Sequence, residues 1–186
     1  MPTRRELQQK WSNIAVDGES GRHIGLWAKP LPGATGDSPL ERFSALSFHR
    51  AMVGQTIPML LTAAGRAFLA YCPDEQRTQI LDLARGGGDD QARLAADERF
   101  VANILARTRE SGFASNDGEW TSQRKVGALA LPIRLRQRPV GSVNIVYLNR
   151  AVTLKEAVRR YLPALQKAAS RIEAQLAGTP PASATS

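Results

Sequence analysis

The period of apolar positions changes along the chain, and each change marks an element. "NIAV" (Asn13 to Val16) and "HIGLWAK" (His23 to Lys29) are β-rich runs either side of the turn-rich "DGESGR", which predicts two strands. "TRRELQQKW", residues 3–11, reads as a short helix or the end of a longer one. "PLPGATGDSPLERFS" reads as a long loop, and "ALSFHRAMVG" (Ala45 to Gly54) restores apolar character. "LTAAGRAFLAYCP" (Leu61 to Pro73) predicts a helix capped by Thr62 and closed by Pro73. Gly65 stands one turn inside it, where glycine costs about 1 kcal/mol relative to alanine, so something must need the missing side chain.

A second helix follows in "PDEQRTQILDLARGG", with Asp74 and Glu75 in its first turn. "GGGDD" is expected to be a hinge or turn. "RFVANILARTRESG" (Arg99 to Gly112) predicts a third helix stopped by Gly112. Residues 125–135 and 139–148 are the clearest strands, "VGALALPIRL" and "VGSVNIVYL", joined by the basic turn "RLRQRP" as an antiparallel hairpin. Both are apolar at nearly every position, so both faces of their sheet are expected to be covered. Thr153 and Glu156 in "TLKE" form a capping box for a final helix whose apolar residues run at helical spacing from Leu154 to Leu176. Pro163 predicts a bend or break near residues 159–163, and "TPPASATS" a disordered tail.

The 186 residues suit one α+β domain with a full core. The formal net charge of +8 is carried mostly by arginine and reads as spread along the chain, so a basic nucleic-acid-binding module stands as one alternative function. The single cysteine, Cys72, excludes an internal disulfide and reads as a packed thiol. No apolar run is long enough for a membrane span, and the N-terminus lacks a signal sequence, so a cytoplasmic protein is expected. Two histidines, His23 and His49, with one cysteine supply no zinc spacing, and no nucleophile elbow, Walker sequence or dinucleotide fingerprint occurs. No metal, cofactor or enzymatic activity is expected. Carboxylates in "SNDGEW" read as a solvated turn; the competing enzyme reading has Asp117 and Glu119 as acid and base and draws on Asn116, Asp117 or Glu119 in one small-molecule site.

Several words, in order, carry a resemblance: "TAAGRAFLAYCPDEQR" after "AMVGQTIPML", then "RTRESGF", then "ALALPIR" followed by "VGSVNIVY". Over roughly residues 43–177 the chain resembles the effector-binding domain of the IclR family of bacterial transcription regulators. The resemblance implies a GAF-like fold, an antiparallel sheet flanked by helices with a long C-terminal helix, that binds a small organic acid and forms homodimers or homotetramers. Within the family the wording points towards regulators of aromatic-compound catabolism, hence an aromatic carboxylate such as a hydroxyphenylpropionate.

The family's ligand cup, carried onto this chain, lies between the sheet and the loop entering the helix at Thr62. Its positions are Leu46, His49, Ile57, Ala63, Ala64, Asn116, Val126, Ala128, Asn144 and Val146, to which Arg50 and Gly65 are added as a charge and a close-approach residue. Where some members carry an acidic residue and small hydroxyls, this chain has Asn116, Asn144 and Val146, so its polar contacts are expected to differ. A helix start offers free N–H groups to a carboxylate, and alanine with glycine leaves the approach open. The alternative is that Ala63 to Gly65 only permits close helix packing; Arg50 equally suits solvent or a partner subunit.

The expected organisation is a linker-helix remnant at 1–11, the effector domain at 12–177 with a divergent or looped segment at 18–41, and a tail at 178–186. The family's winged helix-turn-helix has no counterpart before Trp11, so sequence-specific DNA contact is expected to need that absent domain.

Overall fold

A computed structural model describes residues 12–18, 22–28, 58–118 and 125–178. The β-rich N-terminal runs form strands β1 (Ser12–Gly18) and β2 (Arg22–Ala28), and the hairpin forms β4 (Val126–Leu135) and β5 (Arg138–Leu148). Together with β3 (Ala114–Asp117) they make one antiparallel sheet in the order β1-β2-β5-β4-β3. The β4–β5 connection is two residues, Arg136 (φ 49°) and Gln137 (φ 66°), both left-handed as a tight turn matched to strand twist requires.

Five helices complete the described residues: α1 (Ala63–Tyr71), α2 (Asp74–Arg85), α3 (Asp90–Ala96), α4 (Glu98–Ser111) and α5 (Leu154–Leu176). The starts of α1, α3, α4 and α5 are capped by Thr62, Asp89, Asp97 and Thr153, whose side chains accept backbone N–H groups. At Thr153 the box is reciprocal: its N–H and hydroxyl donate to the Glu156 carboxylate and hold that group below the ordinary carboxylate range.

Strand alternation divides the hairpin's side chains between two layers. Leu129, Leu131, Ile133, Val143, Ile145 and Tyr147 pack against Ala157, Leu165 and Ala169 of α5. On the other face Ala128 and Ala130, with Ala114 of β3, meet Ala63 and Ala67 of α1. Behind α1, Phe68 and Leu69 join Leu81, Ala84, Ala95, Val101 and Leu105 from α2–α4 in a second core. The sheet is thus covered on both sides, as its uninterrupted apolar runs imply.

Four expectations are revised. "GGGDD" does turn the chain, but its last residue opens α3, because Asp89 caps the N–H of Ala92 at 3.0 Å. "SNDGEW" does not start as a solvated turn: Ser115 to Asp117 are strand residues paired with Leu129, Ala128 and Gly127. The segment 18–41 is not loop throughout: residues 22–28 form β2, paired on both sides. Pro163 does not break α5, which runs unbroken to Leu176. Pro163 and Arg159 both lie on the exposed side, so the carbonyl that loses its N–H partner faces solvent. The helix at 3–11, the loop before Ala45, the 45–54 segment and the tail beyond Gly178 lie outside the described residues.

Several arginines serve the fold itself. Arg77 donates to the carbonyls of Leu69 and Cys72, and Arg109 to that of Ala70, closing the C-terminal end of α1. Arg85 does the same for Ala95.

Candidate functional site

The sheet face turned towards α1 is built from small and amide side chains. Cross-strand pairing sets Asn116 beside Ala128 and Ala128 beside Val146; the next row sets Ala114 beside Ala130 and Ala130 beside Asn144. Register continues these rows onto β2, where His23 pairs with Val146 and Gly25 with Asn144. Asn116 and Asn144 are each 6% exposed, so two amides are committed to the interior among alanines. Burying such groups is costly unless they are bonded, and both have partners.

Asn116 makes one such bond. The Ala63 N–H donates to Asn116 Oδ1 at 3.2 Å, tying the strand to the first turn of α1. That arrangement orients the Asn116 Nδ2 donors away from Ala63, and they have no partner among the described residues. The Gly65 N–H goes to Thr62 Oγ1 at 3.1 Å, while Ala64 N–H has no partner among the described residues. The expectation that the helix start is wholly open is therefore corrected: two of its first N–H groups serve the protein's own oxygens.

Gly65 also receives a different explanation. A side-chain carbon at this position would strike the Met59 backbone, lying 2.5 Å from its Cα and against its carbonyl oxygen. The missing side chain lets the chain fold back over the first turn of α1; Gly65 therefore belongs to the packing of the entry loop. Three further bonds hold that loop: Thr62 Oγ1 donates to Pro58 O, Leu60 N–H to Gln91 Oε1 and Arg66 Nε to Leu60 O at 2.7 Å.

Arg66 is the residue that sequence reasoning missed. It is 2% exposed, and Nη1 donates to Ser115 O at 2.6 Å, so one buried guanidinium links the entry loop, α1 and β3. A signal was present: every residue of α1 from Ala63 to Ala70 is buried, and a lone arginine in a helix apolar all round must find its partners internally.

Of the predicted site residues, Ala63, Asn116, Ala128, Asn144 and Val146 come together on this one side of the sheet, and Ala64 is buried in the first turn of α1 next to Ala63. Val126 is half-buried at the end of β4, opposite Leu148. Leu46, His49, Arg50 and Ile57 lie outside the described residues. For the enzyme alternative, Asp117 is exposed at the end of β3 and Glu119 lies outside the described residues. Among the described residues no three His, Cys, Asp or Glu side chains gather to hold a metal ion. Cys72 is a packed thiol: its Sγ lies 3.5 Å from Leu69 O, and burial raises its pKa against the opposing effect of Arg77. Among the described residues no helix is long and apolar enough to cross a membrane.

The family model for the bacterial transcriptional regulator IclR C-terminal region matches residues 41–174. Among solved structures, the Agobacterium tumefaciens repressor BlcR aligns with a TM-score of 0.59 at 18% identity, over 94% of this chain and 63% of that one. The Thermotoga maritima IclR aligns with 0.56 at 18% identity, over 93% and 63%. The inducer-binding domain of PobR from Acinetobacter, a double mutant in complex with 3-hydroxybenzoic acid, aligns with 0.54 at 16% identity, over 91% and 89%. At such identities the likeness is one of fold, and the chain spans under two thirds of the BlcR and Thermotoga regulators.

Proposed function

The chain belongs to the IclR family of bacterial transcriptional regulators, matching its C-terminal domain, and on that premise we propose that the α1-facing side of the sheet senses an aromatic carboxylate. The observation that carries this reading is the donor set on a small-walled face. Asn116 Nδ2 and Ala64 N–H remain to donate, the neighbouring Ala63 and Ala128 side chains are small, and the only described carboxylate on β3, Asp117, is exposed. Donors without a competing anion suit a carboxylate, and the helix start adds its positive end. Alanine walls suit a flat ring.

The wording of the chain supports the finer effector class. "RFSALSFHRAMVG", "KVGALALPIR", "VNIVYL" and "RRYLPALQKAASRIE" resemble MhpR, the activator of hydroxyphenylpropionate catabolism. The PobR domain of the same fold is known in complex with a hydroxybenzoic acid. His49, Arg50, Leu46 and Ile57 complete the proposed cup from the segment before α1. The protein so read is a cytoplasmic homodimer or homotetramer, without cofactor or catalytic step, whose sequence-specific DNA contact is made by a winged helix-turn-helix domain.

Calorimetry and thermal shift against hydroxylated phenylpropionates, benzoates and short oxo-acids test this. Saturable binding of a ring-bearing acid, with its amide analogue much weaker, is the expected result. A folded sample that is silent across the panel, or that prefers the amide, overturns it.

A further inference from the structure

The chain's positive charge is not spread through the fold. Residues 126–178 hold nine lysines and arginines and only two carboxylates, Glu156 and Glu173, so this third of the chain carries nearly all of the net charge of +8. The remainder is close to balanced, and there Arg77, Arg85 and Arg93 pair with Asp74, Asp82 and Asp90. Both carboxylates of 126–178 are engaged: Glu156 in the capping box, Glu173 accepting the Arg134 N–H at 2.8 Å.

The excess lies on the outer side of α5. Lys155, Arg159, Lys167 and Arg171 are exposed and fall four or eight residues apart, with Pro163 filling the remaining step of the row. Each four-residue step rises about 6 Å and turns about 40° around the axis, so the row is roughly 24 Å long and winds about 160° from Lys155 to Arg171, with Arg159, Lys167 and Arg171 within about 120° of one another. Arg160 stands beside it, loosely paired with Glu156 at 3.8 Å. The bond from Arg134 to Glu173 fastens the β4–β5 turn beside the last turns of the helix and brings exposed Arg136 and Arg138 to one end. Arg159 feels the Glu156 carboxylate three residues before it, and Lys155, Lys167, Arg171, Arg136 and Arg138 form no ion pair among the described residues.

We propose that the outer face of α5, with the β4–β5 turn, is a sequence-independent contact for the phosphate backbone of duplex DNA. Arg159, Lys167 and Arg171, fixed on a rigid helix over about 18 Å and within about 120° of its circumference, suit a rigid polyanion of regular charge. The face carries no exposed aromatic on which unstacked bases could lie, against single-stranded nucleic acid. Its exposed residues are basic or polar apart from Pro163 and Ala164, with the one large apolar side chain, Leu176, only at the end, against insertion into a lipid surface. This contact is independent of the effector reading and requires only that a transcriptional regulator works beside DNA.

Fluorescence anisotropy of the 186-residue chain with a 20-base-pair duplex of arbitrary sequence, from low to moderate salt, tests it. Two variants remove three charges each: Arg159→Gln/Lys167→Gln/Arg171→Gln on α5, and Arg93→Gln/Arg99→Gln/Arg107→Gln on the opposite side. Circular dichroism melting checks that both fold. The α5 variant is expected to bind at least tenfold more weakly, with the slope of log K against log salt shallower by about 2 to 3, and the second variant to bind nearly as the parent. Equal losses in both variants, absence of duplex binding by the folded parent, or tighter binding to anionic vesicles or single-stranded DNA each overturn the proposal.

Discussion

Asn116 Oδ1 accepts the Ala63 N–H at 3.2 Å, so an edge-strand amide and the first turn of a helix 53 residues earlier in the chain form one unit. The bond occupies Asn116 Oδ1 and leaves its Nδ2 donors to the proposed effector contact. Asn116→Asp keeps the acceptor for Ala63 and replaces the donors by an anion. Carboxylate binding is expected to fall at least tenfold in calorimetry while the melting temperature changes little. Asn116→Ala instead leaves the Ala63 N–H unpaired and is expected to cost about 1–3 kcal/mol of stability in urea unfolding.

Gly65 and Gly88 separate close packing from helix propensity. Gly65→Ala drives a methyl into the Met59 backbone, whereas a side chain at Gly88 meets nothing within 4 Å. Overpacking of this kind costs about 1–3 kcal/mol, which for a domain of this size lowers the melting temperature by roughly 2–12 °C. Gly88→Ala is expected to be neutral or slightly stabilising. Equal melting temperatures for the two variants would refute the close-packing explanation.

Arg66→Leu removes the donors that satisfy Leu60 O and Ser115 O in the interior. Each abandoned carbonyl costs about 1–3 kcal/mol, so the variant is expected to be among the least stable single substitutions in the domain. Arg66→Lys reaches at most one of the two geometries at a time and should recover only part of the loss. Chemical denaturation of both variants gives the order directly.

Cys72 links burial to alkaline stability. Its thiol pKa is raised from 9.0 by desolvation, so the unfolded chain loses the proton at lower pH than the folded one. The stabilisation is complete below the unfolded pKa and is lost as pH rises through the higher folded value. The parent is therefore expected to lose more stability between pH 8 and pH 10 than Cys72→Ala does, and to react slowly with a thiol reagent until it unfolds. A native-state reaction at the rate of a free thiol would contradict this.

Local order was legible in the sequence wherever a few neighbouring residues decide the backbone. Thr62, Gly112 and the Thr153–Glu156 box announce helix ends because capping is satisfied within four residues. The β4 and β5 runs show a two-sided sheet because their apolar positions do not alternate with polar ones. Asn116, Ala128, Asn144 and Val146 were named through the family resemblance and not through spacing; alternation puts them on one face only once the register is known.

What only the tertiary structure decided was who meets whom over long separations. That Gly65 yields to Met59, that Asn116 and not a ligand holds the Ala63 N–H, and that Arg66 joins Leu60 to Ser115 are contacts no local pattern encodes. The short β3 strand, four residues including Asn116 and Asp117, exists because β4 offers it a partner, against the turn-forming tendency of its own residues. Nine cations in residues 126–178 can be counted in the sequence, but the fold places the α5 row on an outer face beside the β4–β5 turn. Propensities and caps are settled by neighbours in the chain; buried hydrogen bonds, close approaches and charged faces are settled by neighbours in space.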